Sequence, residues 1–350
     1  MIRIGVIGCG WIVEKAHIPA IKKNKSLKLN SVFDKNIERS KYIAEKYALV
    51  YYRTLEEFLE SPIDAVIIAT TNNSHSYYTD AALKAKKHIL CEKPIALSSD
   101  SLKRSYELGR DNNKIIFPLF VNCFRQDVLE LYHRVLNNKI GEVLNVNAKW
   151  VRTSGIPRPG TWITNKEFSG GGVLQDLGSH MLDLSMMFFI DPQIESTTLS
   201  CKYTKNIEMK GAQWCENISS SNLDIDVETA AMGCIKLASN KTIDFHVSWD
   251  DNIPGDVTEI TITGKKGRAI LKTLFGFSQN GLYENSTLIV EGEQEEQCIY
   301  KRENMAMDAF DKMYEYIVGA IVGMPMDYLN MRNVINVVTA TEKLYHSLNS

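Results

Sequence analysis

His180 stands four residues after Asp176, in a stretch that opens with Gly170-Gly171-Gly172. On a helix, residues four apart share a face. An imidazole that titrates near neutrality (~6.5) would then lie beside a carboxylate, the pairing a general base and its orienting acid need. The plain alternative is a core histidine satisfied by Asp176 or Asp183. The cluster also offers the start of a metal site, but no third ligand stands at a suitable spacing, so no metal is expected. A second chemical candidate is Lys93, in Cys91-Glu92-Lys93-Pro94 after an apolar run. A lysine at a strand end is either a solvated charge or a cation placed where open α/β sheets bind ligands.

The third constellation is a glycine turn, Gly5-Val6-Ile7-Gly8-Cys9-Gly10-Trp11-Ile12-Val13, directly after an apolar run. Gly8 permits the strand-to-helix turn, and Gly10 lets backbone approach a pyrophosphate at a helix N-terminus. Val13 fills the third position, where a small residue is usual, so helix and strand are expected to pack further apart. An acidic residue, Asp34, ends the second strand pattern, as a ribose-binding carboxylate should. It would repel a 2′-phosphate and favour NAD, although Lys35 and Arg39 nearby leave NADP possible.

These residues need a frame. Strand patterns at 3–7, 29–33, 64–69, 88–91 and 115–120 alternate with helical patterns at 17–25, 37–47, 55–61, 75–85 and 99–111. That alternation predicts βαβ units and a parallel sheet. Beyond it come a helix at 128–138, a strand at 142–153, a helix at 176–190, a series of strands from 194 to about 301, and helices at 305–322 and 331–347. The expected fold class is α/β. A Rossmann domain spans residues 1–121, and residues 122–350 form an α+β domain with a large, mainly antiparallel open sheet. A C-terminal helix can return to the first domain.

Composition narrows the partners. Forty basic against forty-two acidic residues give a net charge of −2, which makes nucleic acid a poor partner. No apolar run reaches the ~18 residues of a membrane span. The first residues read as a strand, not a secretion signal. Seven scattered cysteines, 215 among them, match neither a disulfide framework nor a zinc site, and a cytoplasmic setting fits them.

The turn at Gly8-Cys9-Gly10, the segment Ala69-Thr70-Thr71-Asn72-Asn73-Ser74-His75, the Glu92-Lys93-Pro94 triplet and the run Gly170–Asp183 together resemble the glucose-fructose oxidoreductase/inositol dehydrogenase (Gfo/Idh/MocA) family. The resemblance follows the whole chain in order and spacing, with Thr71 standing where many members have proline. It implies an NAD(P)-dependent dehydrogenase acting on a secondary hydroxyl or keto group of a sugar, inositol or sugar derivative. It also implies a catalytic group of Lys93, Asp176 and His180. Cys9, Trp11, Ile12, Thr70, Thr71, Asn72, His75, Glu92, Pro94 and Asn122 would then border the cofactor, with Arg125 and Trp162 nearer the substrate. Relatives that use bound NAD to cleave glycosidic bonds, and a non-catalytic dinucleotide sensor, are the competing readings. A homodimer or homotetramer is expected from the family's strand-rich face. Four of the five tryptophans (150, 162, 214, 249) fall in the second half.

Overall fold

In a computed structural model of the chain, residues 1–204, 225–278, 280–292, 294–324 and 331–348 are described; Trp214 and Cys215 lie outside them. The chain forms two compact units, Met1–Phe124 with Met307–Asn330, and Arg125–Ala306 with Met331–Ser350.

The first unit holds strands β1 (Ile2–Ile7), β2 (Leu27–Phe33), β3 (Val50–Tyr51), β4 (Ala65–Ile68), β5 (His88–Cys91) and β6 (Ile116–Pro118). All pair in parallel, in the order β3-β2-β1-β4-β5-β6. The order reverses between β1 and β4, which makes the carboxyl ends there the crevice of a doubly wound sheet. Helices α1 (Ile18–Lys23), α2 (Ile37–Tyr47), α3 (Leu55–Glu60), α4 (His75–Lys84) and α5 (Ser99–Asp111) make the crossovers. Side-chain caps start three of them: Asn36 accepts from two α2 amides, Thr54 from Glu57 and Ser98 from Ser101. Helices on both faces explain why β4 is apolar throughout: all four residues are buried. Burying each isoleucine there contributes about 1.5–3 kcal/mol.

The second unit runs through α6 (Gln126–Leu136), β7 (Val143–Val151), α7 (Lys166–Ser169), α8 (Ser179–Met186) and seven strands: β8 (Ile194–Lys202), β9 (Ala230–Leu237), β10 (Lys241–Ser248), β11 (Val257–Gly264), β12 (Gly267–Thr273), β13 (Asn285–Glu291) and β14 (Glu295–Lys301). The sheet order is β14-β13-β12-β11-β7-β10-β9-β8. It is antiparallel except for one pair: β7 and β10 run parallel, with Trp150 opposite Val247. Val146, Ala148 and Trp150 of β7 and Ile243, Phe245 and Val247 of β10 are buried, and the residues between them are more open. One face therefore carries the core.

Two helices follow, α9 (Met305–Ile321) and α10 (Met331–Ser347). From Met307 onward α9 belongs to the first unit. Phe310 and Tyr314 meet the His17 ring edge-on, Tyr316 packs on Phe117 and Phe124, and Asp311 pairs with Lys23. The last helix, α10, stays with the second unit, against α8 and β8. Among the described residues no helix is long and apolar enough to cross a membrane.

Two helices differ from the sequence expectation. The one expected at 17–25 opens as a π-helical turn, Val13–His17, before α1. The one expected at 176–190 opens as a second π turn, Leu174–Gly178, before α8.

Candidate active site

In the first unit the glycine turn is clamped at Cys9. Its N–H donates to Asp34 Oδ2 (2.7 Å), and its carbonyl accepts from Arg39 Nε (2.7 Å). The second Asp34 oxygen accepts the Asn36 N–H (2.8 Å), while Arg39 Nη2 continues to Glu14 (3.1 Å). Arg39 therefore holds the turn and is not a free surface charge. Lys35 is exposed. Gly8 sits at φ +90°, and a Cβ there would collide with the Ala69 carbonyl. A Cβ on Gly10 would meet nothing within 4 Å, so its backbone faces open space. A bent, open turn bonded to a carboxylate suits a dinucleotide: the turn would take the pyrophosphate and Asp34 the ribose hydroxyls. Cys9 and Val13 are buried, Ile12 is half-buried, and Trp11 is 46% exposed at the rim.

Two loops border the neighbouring strand ends. After β4, Thr70 Oγ1 bonds Ser74 Oγ (2.7 Å), Thr71 donates to Asn73 (2.8 Å), and Asn72 is buried. After β5 come Glu92 and Lys93, with a cis peptide between Lys93 and Pro94. His75 ties the two loops: Nδ1 lies 2.7 Å from the Pro94 carbonyl and Nε2 3.3 Å from that of Thr70. Burial pulls its pKa down, so the ring is neutral and its one proton goes to the shorter contact. His75 is thus a structural tie. Asn122 is buried in a short 3₁₀ turn, Val121–Phe124.

Lys93 has a supporting chain the sequence reading missed. Glu92 accepts the Lys93 N–H (3.2 Å), and Glu92 Oε1 lies 2.9 Å from His17 Nε2. His17 Nδ1 lies 2.8 Å from the Tyr314 hydroxyl. One tautomer satisfies every atom: Tyr314 O–H donates to Nδ1, and Nε2–H donates to Glu92. The π turn at Val13–His17 delivers His17 to this position.

In the second unit Asp176 lies within its π turn and His180 in the first turn of α8. Asp176 Oδ2 accepts the indole N–H of Trp249 (2.9 Å). The His180 ring packs on Trp150 at 5.7 Å between centroids. Because β7 and β10 run parallel, both tryptophans stand at the same end of the sheet, where the helix crosses it. Two of the glycines that open this helix make room for close neighbours. A Cβ on Gly172 would collide with Glu228, and one on Gly171 with Tyr345. Glu228 Oε1 accepts from Gly172 N (2.9 Å), Leu174 N (3.0 Å) and the Tyr345 hydroxyl (2.8 Å). A buried carboxylate thereby caps the helix that carries Asp176, and burial raises its pKa. Burial also pushes Asp183 up to about 8.

The remaining two sequence candidates differ in kind. Arg125 is buried and committed: Nη2 bonds Asp127 (2.7 Å) and Thr273 (2.8 Å), and the guanidinium lies over Phe275. Trp162 is 38% exposed in a short turn, so it is no core residue. Among the described residues no group of three ligating side chains could hold a metal.

Comparison with known proteins bears on both units. Residues 2–120 match the model of the oxidoreductase family with an NAD-binding Rossmann fold, and residues 128–270 match the GFO/IDH/MocA C-terminal domain. The chain belongs to the GFO/IDH/MocA family. Among its relatives in that family, D-glucoside 3-dehydrogenase of Escherichia coli (strain K12) is 32% identical over 197 residues, 56% of each chain. The chain thus spans little more than half of that relative's length. A putative UDP-kanosamine synthase oxidoreductase subunit of Amycolatopsis mediterranei (strain S699) is 25% identical over 80% of this chain and 77% of its own. The fold matches a 3-ketoreductase from Actinomadura kijaniata in complex with NADP and TDP-benzene (TM-score 0.78, 18% identity, 99% and 97% coverage). It also matches GenD2 from gentamicin A biosynthesis in complex with NAD (TM-score 0.79, 19% identity, 100% and 94% coverage). The first of these family descriptions is of an oxidoreductase with an NAD-binding Rossmann fold, and the two solved neighbours hold NADP and NAD.

Proposed function

We propose that this family member is an NAD-dependent dehydrogenase that oxidises a secondary hydroxyl of a sugar or polyol derivative, with Lys93, Asp176 and His180 as its reacting group. The carrying observation is the rigid mounting of Asp176 and His180, one on the Trp249 indole N–H and the other against the Trp150 ring. His180 takes the hydroxyl proton as general base. Asp176 orients that hydroxyl. Lys93, as an ammonium, stabilises the alkoxide that develops. Bound NAD supplies the hydride acceptor. The preference for NAD rests on Asp34 and on Arg39, whose fork is occupied by Cys9 and Glu14. The relatives named for glucosides and UDP-kanosamine support a hexose-like substrate.

The test is NADH formation against inositols, free hexoses, methyl glycosides, sugar phosphates and nucleotide sugars, with NADP in parallel. Lys93→Ala and His180→Asn should each lower the signal by about 100-fold or more at unchanged NAD affinity. Full turnover in both would overturn the residue assignment. Reduction confined to NADP would overturn the cofactor assignment.

A further inference from the structure

At the carboxyl end of β7, three side chains in one short stretch carry buried polar atoms without a hydrogen-bond partner among the described residues: Trp150 Nε1, Arg152 Nε and Thr153 Oγ1. Each is shielded from bulk solvent with no protein acceptor in reach, a condition native proteins rarely keep without reason. The indole and guanidinium nitrogens are donors only, and the hydroxyl can donate. What is missing here is therefore an acceptor.

The surroundings hold these groups in place. The Trp150 ring lies between His180 (5.7 Å) and Phe275 (5.5 Å), and the Arg152 guanidinium lies over its face at 5.3 Å. The Arg152 backbone is fixed on both sides, its N–H to Ser248 O (3.0 Å) and its carbonyl to Asp251 N (2.8 Å). A Cβ on Gly155 would approach Arg152 Cδ to 3.0 Å, so glycine leaves the side chain room. Asp176 and Asp256 act on the guanidinium through space, opposing the effect of its burial. Trp249 bonds Asp176 (2.9 Å), and Thr153 N (2.8 Å) and Ser278 Oγ (2.7 Å) bond Asp256. Within the second unit two carboxylates thus offset this one guanidinium, so an oxyanion beside it would meet their repulsion. Hydroxyl and ether oxygens would not.

We propose that Trp150, Arg152 and Thr153 form a donor subsite that binds acceptor oxygens of an uncharged glycoside, while Asp176 and Asp256 disfavour phosphorylated or carboxylated sugars. This rests on the dehydrogenase reading, because the Trp150 ring that carries the subsite also packs on His180. It makes Arg152 a specificity-determining residue.

The experiment is calorimetric titration of the NADH-loaded protein, in which oxidation cannot turn over, with methyl β-D-glucopyranoside and with glucose 6-phosphate. Wild type, Arg152→Met, Arg152→Lys and Trp150→Phe are compared, each checked for native melting. The glycoside should bind the wild type more tightly than the phosphate does. Arg152→Met should weaken glycoside binding about tenfold or more, the effect of one charged hydrogen bond. Arg152→Lys, which keeps the charge but not the fork, should recover only part of it. Trp150→Phe should weaken binding by about threefold to tenfold, since it removes one neutral donor and keeps a ring. Wild-type affinity in Arg152→Met would overturn the subsite. Tighter binding of the phosphate, or no glycoside binding at millimolar concentrations, would overturn the ligand class. NADH formation from NAD separates the two readings. If it is absent while Arg152-dependent binding persists, the dehydrogenase fails and the subsite stands. If it is present with an unchanged KM in Arg152→Met, the subsite fails and the dehydrogenase stands.

Discussion

Replacing His17 with leucine should give the first unit a gain of stability in mild acid that Glu92 does not supply in the wild type. In the wild type, burial alone would raise the Glu92 pKa, but the His17 hydrogen bond and the Lys93 charge and N–H hold it below the ordinary value. A carboxylate with a depressed folded pKa contributes stability above its unfolded pKa of ~4.3 and loses it as pH falls through the folded value. Without His17 the desolvation cost stands against Lys93 alone, and the Glu92 pKa should rise above the unfolded value. The variant's stability should then grow as pH falls from ~7.5 to ~5, a window in which the wild-type Glu92 contribution, lying wholly above the unfolded pKa, stays flat. At neutral pH the loss is that of a hydrogen bond to a charged group plus the penalty on the partner left behind, about 2–4 kcal/mol. For a unit of this size that lowers Tm on the order of 5–15 °C. Tyr314→Phe is the control. It removes only the hydroxyl 2.8 Å from Nδ1, so it should cost about 1–2 kcal/mol and keep the wild-type pH trend. Thermal melts by circular dichroism at the two pH values decide the matter. A His17→Leu protein with the wild-type pH trend would refute the argument that His17 sets the charge of Glu92.

Four other outcomes follow from single contacts. Glu228→Ala should lower stability by about 1–2 kcal/mol through the lost helix cap and reduce turnover by displacing Asp176, whereas Glu228→Gln, which keeps the accepting Oε1, should retain most of both; melts and NADH formation check this. Asp34→Ser should shift the NAD-to-NADP affinity ratio toward NADP by about tenfold or more, and weaken both cofactors because Cys9 loses its acceptor; equilibrium titration of each cofactor reads it. His180→Asn should lower kcat by about 10²–10⁴, with a smaller change in KM, in steady-state assays. Asp183 carries a raised pKa, so wild-type stability should fall as pH rises toward about 8, and Asp183→Asn should flatten that slope in melts across the range.

Much of this arrangement was legible in the sequence because it rests on local patterns. The β4 run is apolar because both sheet faces are covered, and the Gly8 turn and Asp34 sit at fixed offsets from β1 and β2. What escaped depends on residues far apart in the chain. Tyr314 reaches His17 across 297 positions, and no periodicity in either helix marks the pair. The available signal was a histidine on the buried side of the first helix. Glu228 lies just after a stretch without a clear pattern, and its service as a cap 54 and 56 residues upstream has no local signature. Arg125 is a different case. The resemblance implied a place near the substrate, and what the sequence did not show is that Asp127, two residues on, together with Thr273 and Ser286, ties it into a buried cluster.

The two π turns carry the last step. Helical spacing from Asp176 to His180 suggested a shared face, yet an α-helix would not give the register found. An i→i+5 turn holds one more residue than an α turn, so everything before it rotates relative to everything after. That rotation lets Asp176 take the indole N–H of Trp249 while His180 packs on Trp150, one strand over. The turn at Val13–His17 does the same for His17, which must reach Glu92 from a helix otherwise directed by the glycine turn. Each π turn forgoes some regular α-helical hydrogen bonding, and each aims a side chain at a polar partner elsewhere in its own unit. A deletion that restores the α register in either helix should therefore leave the fold recognisable by circular dichroism and abolish turnover. In the first helix that deletion would break the support beneath Lys93, and in the second it would part Asp176 from Trp249.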